Sequence, residues 1–406
     1  VHVVFDVDAI RAHFPALRDG AAHFDGPGGS QTPDTVADAI RSAMLSPLAN
    51  RGMTTAAERN AEEIVWQCRR ALGDLLGADP GGVIFGRSMT ALTFDLSRTL
   101  SSTWRKGDEI IVSRLDHDAN VRPWVIAAER TGAVLRWVDF DPATGELPTA
   151  NVEAVLTEHT KLVAITAASN LIGTMPDIRA IAALAHDAGA LTYVDGVHYT
   201  AHCAVDVGEL GADFYACSPY KFLGPHCGVV AGRVELLAEL NPDKLLPSTD
   251  RVPERFELGT LPYELMAGTT AAVDFLANAV GAQGDRRIRL AAGMAAVAHH
   301  EDGLREAIEA ALHGLPGVTV YSRAKRRTPT LLATFEGHDP AAISAFLAAR
   351  GVNAPAGSFY AYEPSRRLGL GAAGGVRIGL APYNDAADVD RLIAGLTEYF
   401  TPTRTR

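Results

Sequence analysis

The stretch FYACSPYKFLGPHCGVVAG, residues 214–232, holds two apolar runs separated by PYKFLGPH. Both runs read as buried strands, and the link between them is too short for a helical crossover, so this pair is expected to be antiparallel. Upstream, short apolar and β-branched runs recur at 82–86 (GVIFG), 109–115 (EIIVSRL), 134–140 (VLRWVDF), 161–169 (KLVAITAAS) and 191–196 (LTYVDG). Helical patterns such as NVRPWVIAAERTG and DIRAIAALAHDAG separate most of them, the second closing on Gly189, a residue suited to a helix C-terminus. Strand and helix in alternation predict an α/β fold: a mainly parallel seven-stranded sheet with helices on both faces.

The pattern changes after residue 270. An Ala-rich helical pattern, AAVDFLANAVGAQ, continues through RIRLAAGMAAVAHHEDGLREAIEAALHG. Strand-like VTVYS and TLLATFEG follow, then the helix PAAISAFLAARG and the loop APAGSFYAYEPSRRLGLGAAGG. The strand VRIGLA and the helix DVDRLIAGLTEYF close the chain. A large domain at 31–270 and a smaller α+β domain at 271–406 are expected, with an N-terminal segment, 1–30, packing against the smaller one.

Composition narrows the function. The 406 residues are 47% hydrophobic and 21% charged, which suits a globular chain with a sizeable core. A formal net charge of -11 argues against nucleic-acid binding, and the cluster Arg323-Ala324-Lys325-Arg326-Arg327 reads as a solvated loop. Asp6 and Asp8 stand where a signal peptide needs an apolar core, and no uncharged apolar run is long enough to span a membrane. His198, His202, Cys203, Cys217, His226 and Cys227 crowd together but match no closed tetrahedral zinc pattern. These features predict a cytoplasmic enzyme with free thiols, no metal, and neither nucleic acid nor membrane as partner.

Lys221 is the one charged side chain in the stretch quoted above. The chain has five lysines against 32 arginines, so a cation wanted merely for the surface is mostly Arg here. Lysine can lose its proton and attack a carbonyl as an amine, which a guanidinium cannot, and an apolar setting lowers its pKa. Asp195 ends a buried-strand pattern, at the sheet edge where ligands of open α/β folds gather. An amine together with an acid that can face a pyridine nitrogen is the pair that pyridoxal phosphate requires. Ser88, Met89 and Thr90 lie between a strand and a helix, where free N–H groups and hydroxyls bind a phosphate or simply cap the helix. Ser218 can add a hydroxyl, whereas the Gly-rich DGPGGS at 25–30 is weak as a nucleotide loop.

VDGVHYTAH followed by ACSPYKFLGPHCGVVAGR resembles the Asp and Lys motifs of class V aminotransferases, in the order and spacing of the cysteine desulfurase-like branch of pyridoxal-phosphate fold type I. HFDGPGGSQTP, DHDANVRPW, SNLIGT, RFELGT and GGVRIGLAPYN extend the resemblance over nearly the whole chain. It implies that Lys221 is the Schiff-base lysine, Asp195 the partner of the pyridine nitrogen and His117 the imidazole stacked on the ring. It places Asn170 and His198 near the ring oxygen, and Met89, Thr90 and Ser218 on the phosphate, with Tyr220 where many relatives have His. Thr260 matches a phosphate contact made across a homodimer interface. Arg377, with Asn170 and Gly28, falls on the substrate carboxylate. Tyr360 stands where desulfurases carry a catalytic cysteine, and no cysteine follows Cys227.

The resemblance implies catalysis on an amino acid, with a 2-oxo acid as the possible second substrate. Transamination is the expected outcome. A β-elimination or C–S lyase, a desulfurase-type reaction and a racemase or epimerase are the alternatives, and a cofactor-binding regulatory protein is the non-enzymatic one.

Overall fold

The computed structural model describes residues 5–401. Seven strands form the larger sheet: β1 (Val83–Gly86), β2 (Glu109–Ser113), β3 (Val134–Val138), β4 (Thr160–Thr166), β5 (Leu191–Asp195), β6 (Phe214–Cys217) and β7 (Gly228–Gly232). Their spatial order is β1-β7-β6-β5-β4-β2-β3. The run from β3 to β6 is parallel, and β7 lies antiparallel to both β6 and β1, as the short link after Cys217 requires.

Both faces of this sheet are covered. Successive side chains of a strand point to opposite faces. Val163, Ile165, Val194 and Tyr215 enter one apolar cluster, while Leu162, Ala164, Tyr193 and Phe214 enter another on the far side. The central strands are therefore apolar toward both faces rather than at alternate positions only. Helix Ile178–Asp187 starts on Asp177, whose side chain accepts from Ala180 N, and Gly189 just beyond its end is left-handed with φ 76°.

The smaller sheet is antiparallel, in the order Ala356–Gly357, Gly375–Gly379, Thr330–Phe335, Val318–Val320. Ile308, Leu331, Ile343 and Leu392 fill its core. Ala22–His23 pairs in parallel with Val352–Asn353, and Asn384 Nδ2 donates to His23 O at 2.9 Å.

Two local expectations are corrected. The Ala-rich pattern is two helices, Tyr263–Asn278 and Arg286–His313, separated where Gly281 and Gly284 take positive φ and Asp285 caps the second. The 354–375 loop contains the short strand Ala356–Gly357 and the helix Tyr362–Arg367. The latter is held from outside, by Arg114 on Glu363 at 3.0 Å and by Ser365 Oγ on Gly371 O at 2.6 Å.

The RFELGT motif contains a buried tie to β1. Arg69, fully buried, forks onto Glu257 at 3.0 and 2.8 Å, and Phe85 N donates to the same carboxylate at 2.9 Å. Glu257→Ala would strand a buried guanidinium and a strand N–H. A loss of about 3–5 kcal/mol is expected, the usual cost of removing one member of a buried pair. Urea unfolding monitored by circular dichroism measures it, and Glu257→Gln, which keeps an acceptor, should lose less.

Candidate active site

The sheet registers bring the chemistry to one edge. Asp195 pairs with Thr166 of β4 and Ala216 of β6, so the ends of three parallel strands are level. Beyond them lies a cleft. Asp195, His198, Lys221 and Asn170 line it, with His117 on the side facing the 356–361 loop. Ser88, Met89, Thr90, Ser218 and Tyr220 line it as well.

Lys221 ends a single 3₁₀ turn, Pro219–Lys221, directly after β6. The N-terminal segment braces that turn: Ser30 N and Oγ both donate to Tyr220 O at 3.0 Å, and Leu223 N donates to Ser30 Oγ. The DGPGGS segment is thus a strap under the lysine turn. Lys221 is 8% exposed, and its Nζ meets no hydrogen-bond acceptor among the described residues. Burial, then the Arg377 charge, lower its pKa to about 8, against the opposing pull of Asp195.

Asp195 accepts from Val197 N at 2.9 Å, and burial raises its carboxyl to about 6 despite that bond and the Lys221 charge. His117 Nδ1 accepts from Ala119 N at 3.0 Å, which leaves the ring proton on Nε2. Burial and the charges of Lys221 and Arg377 push this imidazole down to about 3, so it is neutral at physiological pH. His198 is held through Nε2 by the hydroxyls of Thr328 and Thr330 at 3.0 and 2.9 Å, and its Nδ1 has no partner among the described residues.

The helix Met89–Ser101 opens at the cleft. Ser88 Oγ accepts from Ala91 N as its cap, and Met89 and Thr90, the first residues of the helix, line the cavity. Gly228 of β7 lets this turn approach, since a Cβ there would stand 2.1 Å from the Ser88 carbonyl carbon. Tyr220 lies flat on His226 with ring centroids 4.8 Å apart.

Arg377 sits immediately behind Asn170. It is 2% exposed, its Nη1 donates to Asn170 O at 3.1 Å, and its Nε has no acceptor among the described residues. A Cβ at Gly28 would stand 3.4 Å from its Nη2. Arg377 and Gly28 therefore lie one layer outside the residues that wall the cleft. Thr260 is exposed and is not among the residues that line the cleft.

Reading by residue type missed three groups. Asp116, next to His117, is fully buried, bonded by Ser113 and by Asn120 Nδ2 at 2.7 Å. Burial raises it to about 8 against the Ser113 and Asn120 bonds, and the Asp195 charge adds to the rise. Its signal was the carboxylate opening the DHDAN segment one residue early. Phe359 and Asp25 flank Arg377, and nothing in their local sequence marks them.

The donor set fits pyridoxal phosphate. A lone buried amine, a buried acid, a neutral imidazole, a free helix N-terminus and the unpartnered Asn170 Oδ1 and His198 Nδ1 converge on one cavity. No group of three His, Cys, Asp or Glu among the described residues is placed to hold a metal ion. The sequence model for "Aminotransferase class-V" matches residues 22–392.

The chain belongs to the class-V aminotransferase family. It is a pyridoxal-phosphate-dependent enzyme of the kind that acts on amino acids, cysteine desulfurase-like in fold and sequence. An uncharacterized protein of Mycobacterium tuberculosis is 33% identical over 398 residues, covering 97% of this chain and 99% of its own length. An aminotransferase-like protein of Gibberella zeae is 31% identical, covering 97% and 98%. The crystal structure of the cysteine desulfurase CsdA from Escherichia coli superposes with a TM-score of 0.86 at 27% identity, over 98% of this chain and 100% of that one. No helix among the described residues is long and apolar enough to cross a membrane.

Proposed function

We propose that this enzyme transfers the amino group of an α-amino acid, with Lys221 as its covalent anchor and base and Arg377 as its carboxylate site. The observation that carries this reading is an excess of buried positive charge. Lys221 and Arg377 both disfavour the protonated form of His117, Arg377 also disfavours that of Lys221, and neither cation forms an ion pair among the described residues. Asp195 and Asp25 are the nearest carboxylates, and burial raises both. A site short of anions suits an occupant that brings a phosphate and a carboxylate.

When bound, pyridoxal phosphate supplies an aldehyde and an electron sink for bond cleavage at Cα. Ser88, Met89, Thr90 and Ser218 would hold its phosphate, and Asp195 its ring nitrogen. His117, being neutral, would cover the ring without adding charge. His198 Nδ1 and the Asn170 amide would reach the ring oxygen. Arg377 and Asn170 orient the amino acid so that its Cα proton faces the Lys221 amine, which removes it. Tyr360 occupies the loop position of the desulfurase cysteine, and no thiol lines the cleft, which favours amino-group transfer over sulfur abstraction. The remaining cysteines are free, with Cys203 and Cys227 raised by burial to about 12 and about 11, far from thiolate character at neutral pH.

The working form in this reading is a homodimer, in which exposed Thr260, beside exposed Leu258, serves the partner's phosphate site. Light scattering of the holoenzyme should give twice 43.0 kDa. The reaction is tested by incubating holoenzyme with single amino acids and no acceptor. Transamination yields one 2-oxo acid per site and no free ammonia. Continuous ammonia release identifies a lyase, mirror-image amino acid a racemase, and no product from any amino acid a regulatory protein.

A further inference from the structure

Arg377 poses a problem of orientation. A guanidinium is flat, and all its N–H donors point outward in its plane. One donor, Nη1, is spent on Asn170 O, which leaves the edge formed by Nε and Nη2 for a two-oxygen acceptor. Asp25 is the carboxylate whose charge acts most on Arg377, yet the two form no ion pair. Turning the group toward Asp25 would use up that edge.

Phe359 opposes the turn. Its ring lies over the guanidinium, 3.6 Å from Arg377 Cζ to the ring centroid. A ring on the face takes no donor from the edge but blocks rotation of the plane. Phe359 is fixed in place from three sides. Asn170 Nδ2 donates to its carbonyl at 3.0 Å, Asp118 N donates to the carbonyl of Tyr360 at 2.8 Å, and Ala356–Gly357 pairs with the strand that carries Arg377. Phe359 and Tyr360 both take left-handed backbone, φ 53° and 56°, a conformation bulky side chains avoid unless the surroundings impose it. Gly28 lies beside the same edge: a Cβ there would contact Nη2 at 3.4 Å.

We infer that Phe359 is a positioning residue for substrate: stacked on Arg377, it presents the free guanidinium edge to the amino acid's carboxylate and keeps that edge from Asp25. This rests on the reading of Arg377 as the carboxylate site. Substrate selectivity for α-carboxylates then depends on an aromatic face contributed by the small-domain loop, whose conformation the rest of the fold imposes.

The test uses two probes that differ by one carboxylate, 2-methylalanine and isopropylamine. Neither requires turnover, and each is titrated into holoenzyme by the change in its visible absorption. The ratio of the two dissociation constants measures carboxylate recognition. Phe359→Ala and Phe359→Leu are expected to cut that ratio about tenfold with isopropylamine binding unchanged, and Phe359→Tyr to restore it. The leucine variant keeps apolar bulk in the loop should the alanine variant fail to fold. Arg377→Ala is the control and should abolish the preference. A preference that survives Arg377→Ala overturns the carboxylate-site reading and this inference with it. A preference lost in Arg377→Ala but intact in both Phe359 variants, or tighter 2-methylalanine binding in them, overturns this inference alone.

Discussion

Lys221→Ala is expected to take up pyridoxal phosphate only reversibly and to lose activity by at least about 10⁴-fold, beyond the usual range for deleting a general base because the covalent anchor goes too. The wild-type chain should hold the cofactor through Nζ, so that borohydride reduction and peptide mass mapping find the added mass at residue 221. Borohydride that labels another lysine, or none, would remove the basis for the proposed chemistry. The loss should not come from unfolding. Lys221 Nζ meets no acceptor among the described residues, and burial and the Arg377 charge both disfavour its ammonium form. The urea midpoint of the cofactor-free variant should therefore be no lower than that of the wild type. The pH dependence follows from the lowered pKa. Only the unprotonated amine attacks an aldehyde, and the group titrates at about 8. Covalent loading should be slow at pH 6, rise through about 8 and level off above it.

Arg377→Leu is expected to raise KM for the amino acid roughly 10- to 100-fold. A charge-assisted hydrogen bond contributes about 1.5–3 kcal/mol and about 1.4 kcal/mol is tenfold in binding. The same change should alter Lys221. Arg377 is the second-largest cause of the lowered lysine pKa, after burial. Removing its charge stabilises the ammonium, so the loading profile should move to higher pH. Arg377→Lys separates the two effects, since it keeps a charge and loses the planar fork. It should show the KM defect with little movement of the pH profile. A purely structural Arg377 would lower the unfolding midpoint of Arg377→Leu and leave KM for the amino acid in place.

The alternation of apolar runs with helical patterns was enough to foresee the seven strands, because a parallel sheet buried on both faces needs strands that are apolar throughout. The antiparallel turn at β7 was equally legible, since PYKFLGPH cannot hold a crossover. Lys221 stood out through the scarcity of lysine, and Asp195 through its place at a strand end. The break between Asn278 and Arg286 was not foreseen, because alanine-rich helical spacing continues on both sides of two glycines whose φ values the surrounding chain selects. The helix Tyr362–Arg367 was not foreseen either, since its supports, Arg114 and Gly371, act on it from outside.

Local pattern in the chain thus decided which segments become strands and helices, which amine is chemically distinct, and on which edge of the sheet it stands. These depend on side-chain periodicity and on chain length between neighbours, both of which are local properties. Tertiary structure alone decided how the charges act on one another. It brought Asp116 within reach of the Asp195 charge, set the Phe359 ring across the Arg377 guanidinium, and buried Lys221 within the fields of Arg377 and Asp195. Electrostatic strength and stacking depend on distance and on exclusion of water, and neither exists until the chain has closed around the site.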